Sequence, residues 1–445
     1  MQLPKMATVK QRFASTALDD VAGEVRRQLA AAHLAESIRP GARIAVSSGS
    51  RGIANIPLIT RTVVDCIKEA GGEPFLLPAM GSHGGATPEG QAGLLADYGV
   101  TEASMGVPVR ASMEAGSLGQ VEGGQDVPWS REALAADGVI VINRVKPHTD
   151  FAGPMGSGLT KMLVVGLGKH AGASAYHAAA LTLGYEAALM RLAKVVFARA
   201  PILGGVAIVE NAMHDTARVE VLAADAIPGR EPELCAEAAT MMPALPFDEI
   251  DLLIVDQIGK NISGTGMDTN TIGRGVHGYN LMPGDALAKP FIWRIFVRGL
   301  TPETHGNAIG IGLAEATTKR LVAEVDAAAL RTNVLTSRAV QCAKLPMDFA
   351  TTPRRSAPCW RRCPIPIRPR RGWCASATRF RLARSMSPPH WPPRWLRIPR
   401  SARPAYRTRL SLPSYTSGAA ARAPRAATAS APSTQQKHQG NHRVR

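Results

Sequence analysis

The stretch ARIAVSSGSRGIANIPLITRTVVDCIKEAGGEPFLLPAM, residues 42–80, restricts the fold more than any other part of the chain. An apolar run, a glycine-containing loop, an amphipathic helix pattern stopped by Gly-Gly, and a second apolar run spell a βαβ unit. Such a unit implies an open α/β sheet, whose ligands sit outside the carboxyl ends of its strands. The two strand-following loops carry Ser47, Ser48, Ser50 and Arg51, then Ser82 and His83 in GSHGGATPEGQ. Thr87 before Pro88 predicts an N-cap and a proline at the first helical position of a helix over 88–98.

The rest of the body continues the alternation. A helix pattern, LDDVAGEVRRQLAAAHLAESI, precedes Arg39-Pro40-Gly41. Short strands are expected at 107–110 and 117–121, a helix near 129–136 and the strand GVIVINR at 138–144. A histidine-, lysine- and glycine-rich stretch, NRVKPHTDFAGPMGSGLTKMLVVGLGKHAGASAYHAA, then runs into an alanine-rich helix over 171–199. A second α/β region begins near 202 with ILGGVAIVEN, ARVEVLAAD, a helix over 231–241 and the apolar strand IDLLIVDQIG. The loop GKNISGTGMDTNTIGRG follows, then FIWRIFVRG, the helix pattern LAEATTKRLVAEVDAAAL and the strand pattern TNVLT. The expected fold class is α/β: two α/β domains with mainly parallel sheets, over 1–205 and 206–347, followed by a disordered basic tail over 348–445.

Charge separates that tail from the body. The net charge is +17, yet residues 351–445 hold 21 of the 52 Lys and Arg and none of the 35 acidic residues, so residues 1–350 carry a net −4. The tail also holds 14 of the 33 prolines and four of the six tryptophans, without sustained periodicity. An arginine-rich arm for nucleic acid or a membrane is one reading of such a segment. An abrupt change to Arg, Pro, Ala, Ser, Trp and Cys after Asp348 fits a GC-rich gene read out of frame better. On that reading the second domain is truncated and the basic balance implies neither a nucleic-acid nor a membrane partner. Cys66, Cys235 and Cys342 sit singly in apolar surroundings as reduced thiols, and Cys359, Cys363 and Cys374 lack zinc spacing. No apolar run reaches 18 residues and the start lacks a signal h-region, so a cytoplasmic protein is expected.

GSGLTK and GLGKHAG invite comparison with a phosphate-binding loop, but Thr160 precedes Lys161 and His170 follows Lys169, which breaks the Gly-Lys-Ser/Thr ending. The segments SRGIANIP, GSHGGATPEG and PHTDFAGPMGSGLTKMLVVGLGKHAGASAYH together resemble the nickel-dependent lactate racemase family, in a short divergent branch. The resemblance spans roughly residues 10–345 and implies two α/β domains around a nickel-pincer nucleotide, pyridinium-3,5-bisthiocarboxylic acid mononucleotide, holding Ni.

Residue by residue, the resemblance implies that Lys161 tethers the cofactor and that His177 completes the nickel coordination, with His170 as a rival ligand. It implies His83 and His148 as the acid/base pair and Arg51 as the residue that polarises substrate, with Ser48 and Gly158 lining the cofactor. Two histidines near neutral pH suit proton transfer on opposite faces of a 2-hydroxy acid, and a neutral imidazole suits nickel. The implied activity is racemisation or epimerisation of a 2-hydroxy acid by reversible hydride transfer, with cofactor-maturation enzymes as partners. Ser48 stands where the family usually has an aspartate, and the family's second-domain glutamine and lysine lack clear counterparts, which implies a substrate other than lactate. The alternative is a non-redox binder or isomerase of a phosphorylated or sugar-acid ligand that uses the same loops without nickel.

Overall fold

The computed structural model describes residues 9–350 except 14, 51, 150–152, 277–289 and 338, together with the backbone of Cys374–Ala377, all within one compact unit, Met1–Ala383. Arg51 and almost all of the expected basic tail lie outside the described residues.

Helix α1 (Val21–Ala31) starts at Asp20, whose carboxylate accepts from the Gly23 amide at 2.8 Å. There follow β1 (Arg43–Ser48), α2 (Ile56–Glu69), β2 (Glu73–Pro78), α3 (Pro88–Asp97) and the single-turn α4 (Glu102–Met105). A hairpin of β3 (Ala115–Gln120) and β4 (Asp126–Ser130), then α5 (Arg131–Leu134), lead into β5 (Gly138–Arg144). Next come α6 (Leu159–Lys161), a π-helical segment over Met162–Gly166, α7 (Lys169–Leu183), α8 (Tyr185–Arg199), β6 (Ile202–Glu210), β7 (Thr216–Ala223) and α9 (Ile227–Met241).

The first sheet has the order β2-β1-β5-β6-β7 and is parallel except for the β6–β7 pair. Its strands are apolar on both faces, which is why they read as continuous hydrophobic runs. Ile44, Val46, Ile140 and Ile142 pack with Val25, Ile59 and Val63 of α1 and α2. Ala45, Leu77, Val139 and Val141 pack with Leu163, Leu167, Leu189 and Val196 on the opposite face. The chain leaves β1 for β2 and returns on the other side of β1 as β5. The strand order therefore reverses between β1 and β5, and the crevice beyond Ser48 and Arg144 is where an open sheet takes its ligand.

The second region holds β8 (Glu249–Ile250), β9 (Leu252–Val255), α10 (Thr269–Ile272), β10 (Phe291–Ile292), β11 (Ile295–Val297), β12 (Ala316–Thr318), α11 (Lys319–Ala323), α12 (Ala327–Ser337), β13 (Met347–Phe349) and β14 (Cys374–Ala377). Its main sheet, β13-β12-β11-β9-β14, is parallel throughout, and a separate parallel pair joins β8 to β10. The fold is the mixed α/β architecture with mainly parallel sheets that the sequence predicts. The expected domain division at 205/206 falls within β6, and α9 still packs on the first sheet through Ile227, Leu234 and Ala238.

Local differences have local causes. The expected helix over 171–199 is two helices, because Gly184 at φ +80 and ψ 158 cannot continue a helical turn. TNVLT is helical rather than extended: Leu330 and Val334, four residues apart, are buried together in the second core while Leu335 is exposed. The start of the expected helix LAEATTKRLVAEVDAAAL holds β12 instead. There the Thr317 hydroxyl donates to the Val297 carbonyl at 2.9 Å, and Thr318 accepts from the Leu321 amide to begin α11.

Candidate active site

Three loops at the carboxyl edge of the first sheet meet around the π segment. After β1, Gly49 lies against the Met162 side chain, and the Ser48 carbonyl accepts from the Ala79 amide at 2.8 Å, stitching the first loop to the second. After β2, the Gly81 amide donates to the Gly166 carbonyl at 3.0 Å. The Ser50 hydroxyl is hydrogen-bonded to His83 Nδ1, so two loops 33 residues apart share one histidine. A hydrogen bond at one ring nitrogen constrains the orientation of the ring. His83 also precedes α3, whose N-cap is Thr87, with the Gly90 amide donating to its hydroxyl at 3.1 Å and Pro88 in the first turn, as predicted.

After β5, the chain doubles back, and Lys146 and Ser157 exchange two backbone hydrogen bonds at 2.8 Å. This pinch carries His148, which is only 7% exposed, to Lys161. Lys161 Nζ and His148 Nε2 are hydrogen-bonded to one another. The turn that presents Lys161 is fixed from two sides. Asn143 Nδ2 donates to the Gly158 carbonyl at 3.0 Å. Glu231, fully buried on α9, accepts from the Thr160 amide at 2.9 Å and the Thr160 hydroxyl at 2.6 Å. Burial pushes the Glu231 carboxyl above its ordinary range, and the Thr160 hydroxyl and amide act against that rise. A Cβ at Gly158 would collide with Glu231 Oε1, so that glycine is required by the carboxylate packed on it. Immediately beyond Lys161 the backbone is π-helical, a local irregularity common at functional sites, and Trp129 Nε1 donates to the Leu163 carbonyl at 2.7 Å within it.

The second region reaches the same loop. Lys146 Nζ pairs with Asp268 Oδ2 at 3.2 Å, the Thr269 hydroxyl donates to the Thr149 carbonyl at 2.5 Å, and Asn270 Nδ2 donates to the His148 carbonyl at 3.2 Å. The glycine-rich loop after β9 thus holds the backbone at His148 and Thr149 and the Lys146 side chain before them. His177 stands on α7, half-buried, with its ring centroid 5.1 Å from that of Tyr176 and 6.3 Å from that of Tyr185. His170, its rival, is exposed.

Residues 5–188 match the family model of the lactate racemase N-terminal domain. That stretch is similar to the lactate racemase N-terminal domain family. No curated protein matches the chain. Among solved structures, the chain is similar to the lactate racemase apoprotein from Thermoanaerobacterium thermosaccharolyticum, at 12% identity and a TM-score of 0.47, over 76% of this chain and 83% of that one.

Within the matched stretch, the structure joins His83 to Ser50 and His148 to Lys161, and it puts His177 on the helix that follows the π segment. Ser48 is buried at the end of β1. Arg51 lies outside the described residues. The donor set fits the cofactor implied by the sequence resemblance: an amine on a rigid turn can be tethered, and a single imidazole suffices where an organic chelate supplies the other nickel ligands. Sequence reasoning missed Gln91, Lys169, Glu231 and Asn270 as residues of this neighbourhood. The only sequence signal for Lys169 is a lysine inside an otherwise apolar and glycine-rich run, MLVVGLGKHAG.

Proposed function

We propose that the chain is a racemase or epimerase of a 2-hydroxy acid built on a lactate-racemase-type domain, with a nickel-pincer nucleotide tethered at Lys161. The observation that supports this reading is that Ser50–His83 and His148–Lys161 both form on loops at the carboxyl edge of the first sheet that pack around the same π segment. Bound there, the pincer nucleotide would supply a reversible hydride acceptor.

The chain's own groups do the rest. His83, steadied at Nδ1 by Ser50, and His148, carried by its pinched loop, exchange the hydroxyl proton of substrate, one for each hand of the substrate. Lys161 would hold the cofactor through its side-chain nitrogen, which lies beside His148 Nε2, and His148 would serve as an acid/base group there. His177 offers the imidazole to nickel, and Ser48 and Gly158 border the cofactor. Arg51 polarises the substrate in this reading, and the maturation enzymes that build the cofactor are the implied partners. Among the described residues no helix is long and apolar enough to cross a membrane, and a cytoplasmic location belongs to the same reading.

The test is intact-mass and metal analysis of the full chain co-expressed with cofactor-maturation enzymes, followed by polarimetry on a panel of 2-hydroxy acids. The expected result is a covalent adduct lost in Lys161→Ala, nickel lost in His177→Ala, and racemisation abolished in either. A wild-type protein without adduct and without nickel overturns the reading. Full activity in His177→Ala would instead favour a ligand binder or isomerase that works without metal.

A further inference from the structure

A buried lysine outside the groups assigned above lies beside the His83 loop. Lys169 is fully buried at the start of α7, with φ +57. Its Nζ donates to the Pro78 carbonyl at 2.7 Å, where β2 ends, and to Gln91 Oε1 at 3.4 Å. Gln91, also fully buried, turns its amide nitrogen the other way, to the Gly81 carbonyl at 2.9 Å and the His83 carbonyl at 3.2 Å. The connection runs from α7 through Lys169 and Gln91 to the backbone on both sides of Ser82.

An ammonium in such a place needs a reason. Burial disfavours the charged form and lowers the Lys169 pKa to about 8, opposed only weakly by the Glu132 charge. A methionine would fill much of the same volume without that penalty, but it could not donate to Pro78 and Gln91. Without those donations Gln91, which holds the loop at the Gly81 and His83 carbonyls, would lose its side-chain tie to α7, and the residue that loop carries is one half of the proposed acid/base pair.

We infer that Lys169, acting through Gln91, is a positioning residue for His83, locking the His83 loop to the first turn of the helix that carries His177 eight residues further on. Eight residues are about two helical turns, so Lys169 and His177 are joined by one short stretch of α7. Lys169 and Gln91 then join the Gly81–Gly166 and Ser50–His83 bonds in setting the spacing between His83 and the proposed nickel ligand. This inference rests on the proposed function for the meaning of His83, but not for its test.

The experiment uses full-length protein without cofactor, labelled at the histidine rings, with His83 and His148 assigned from His83→Asn and His148→Asn. Gln91→Met keeps Lys169 and severs the amide from the loop. The expected result is a displaced and broadened His83 resonance with an altered titration midpoint, while His148, on a separately held loop, keeps its own. Lys169→Met should displace His83 in the same direction. If Gln91→Met leaves His83 in place, or moves His83 and His148 alike, the inference is overturned. It is overturned as well if a folded Lys169→Met leaves His83 unmoved; should that variant not fold, Gln91→Met alone decides. Nickel and adduct content measured on Gln91→Met after co-expression should equal wild type, which separates failure of this inference from failure of the nickel reading.

Discussion

At the scale of single residues, the site is held by groups that are charged or polar and completely buried, so its stability is tied to pH. Lys169 gives the clearest case. Unfolded, its amine keeps a proton up to about 10.5; folded, burial releases that proton near a pKa of about 8. Between these values the unfolded chain binds more protons, so this group makes stability rise with pH across the window and exacts its full cost below about pH 8. A displacement of that size corresponds to about 3 kcal/mol. Urea unfolding of wild type against Lys169→Met, followed from neutral to strongly alkaline pH, should show the difference between them changing by an amount of that order in favour of wild type. A difference independent of pH would mean that the amine is far better solvated than its burial indicates.

Helices and strands show how the functional turn is built. The turn presenting Lys161 is one short helix whose first amides need an acceptor, and Glu231 supplies it from α9, 71 residues away. The carboxyl is raised by burial, so the folded chain holds its proton more tightly than the unfolded one. Its contribution is therefore complete below the ordinary carboxyl range and declines as pH rises through the folded value. Glu231→Gln keeps an acceptor for Thr160 without a charge, so it should remove the decline and gain stability relative to wild type as pH rises from the ordinary carboxyl range toward neutral. Glu231→Ala should lose about 2 kcal/mol, because the Thr160 amide and hydroxyl are then buried without a partner. Denaturant midpoints measured across pH would refute this if Gln and Ala proved equally damaging. The sequence displays the parts of this machinery that depend on local pattern: the β1 and β5 runs, the Thr87-Pro88 cap and the histidines after strands. It hides what depends on distant packing. Glu231 in PGREPELC looks like a surface residue of a polar helix start, Gln91 like ordinary helix filler, and Thr317 like a helical residue, until the strand or helix packed against each one is known. Gly158 shows the same limit, since its requirement arises from Glu231 and not from its own neighbours.

For the whole molecule, the decisive feature is that the second region touches the loop carrying His148. Asp268, Thr269 and Asn270 start α10, and each reaches the stretch 146–149: one by an ion pair, two through backbone carbonyls. These contacts let the second region tune the loop that carries His148. Lys146 and Asp268 are the pair to cut, because their side chains are 24% and 15% exposed, enough desolvation for their attraction to outlast moderate screening. A double-mutant cycle of Lys146→Met and Asp268→Asn should give a coupling energy of about 1 kcal/mol in urea unfolding, reduced but not abolished by added salt. The same cycle read on the His148 ring resonance should show that either single change shifts it while His83 keeps its position, since His83 is held by Ser50, Gln91 and Lys169 on the other side of the crevice. A coupling energy of zero, or a His148 resonance indifferent to both substitutions, would mean that the two regions merely abut and that the loop is set by the first sheet alone.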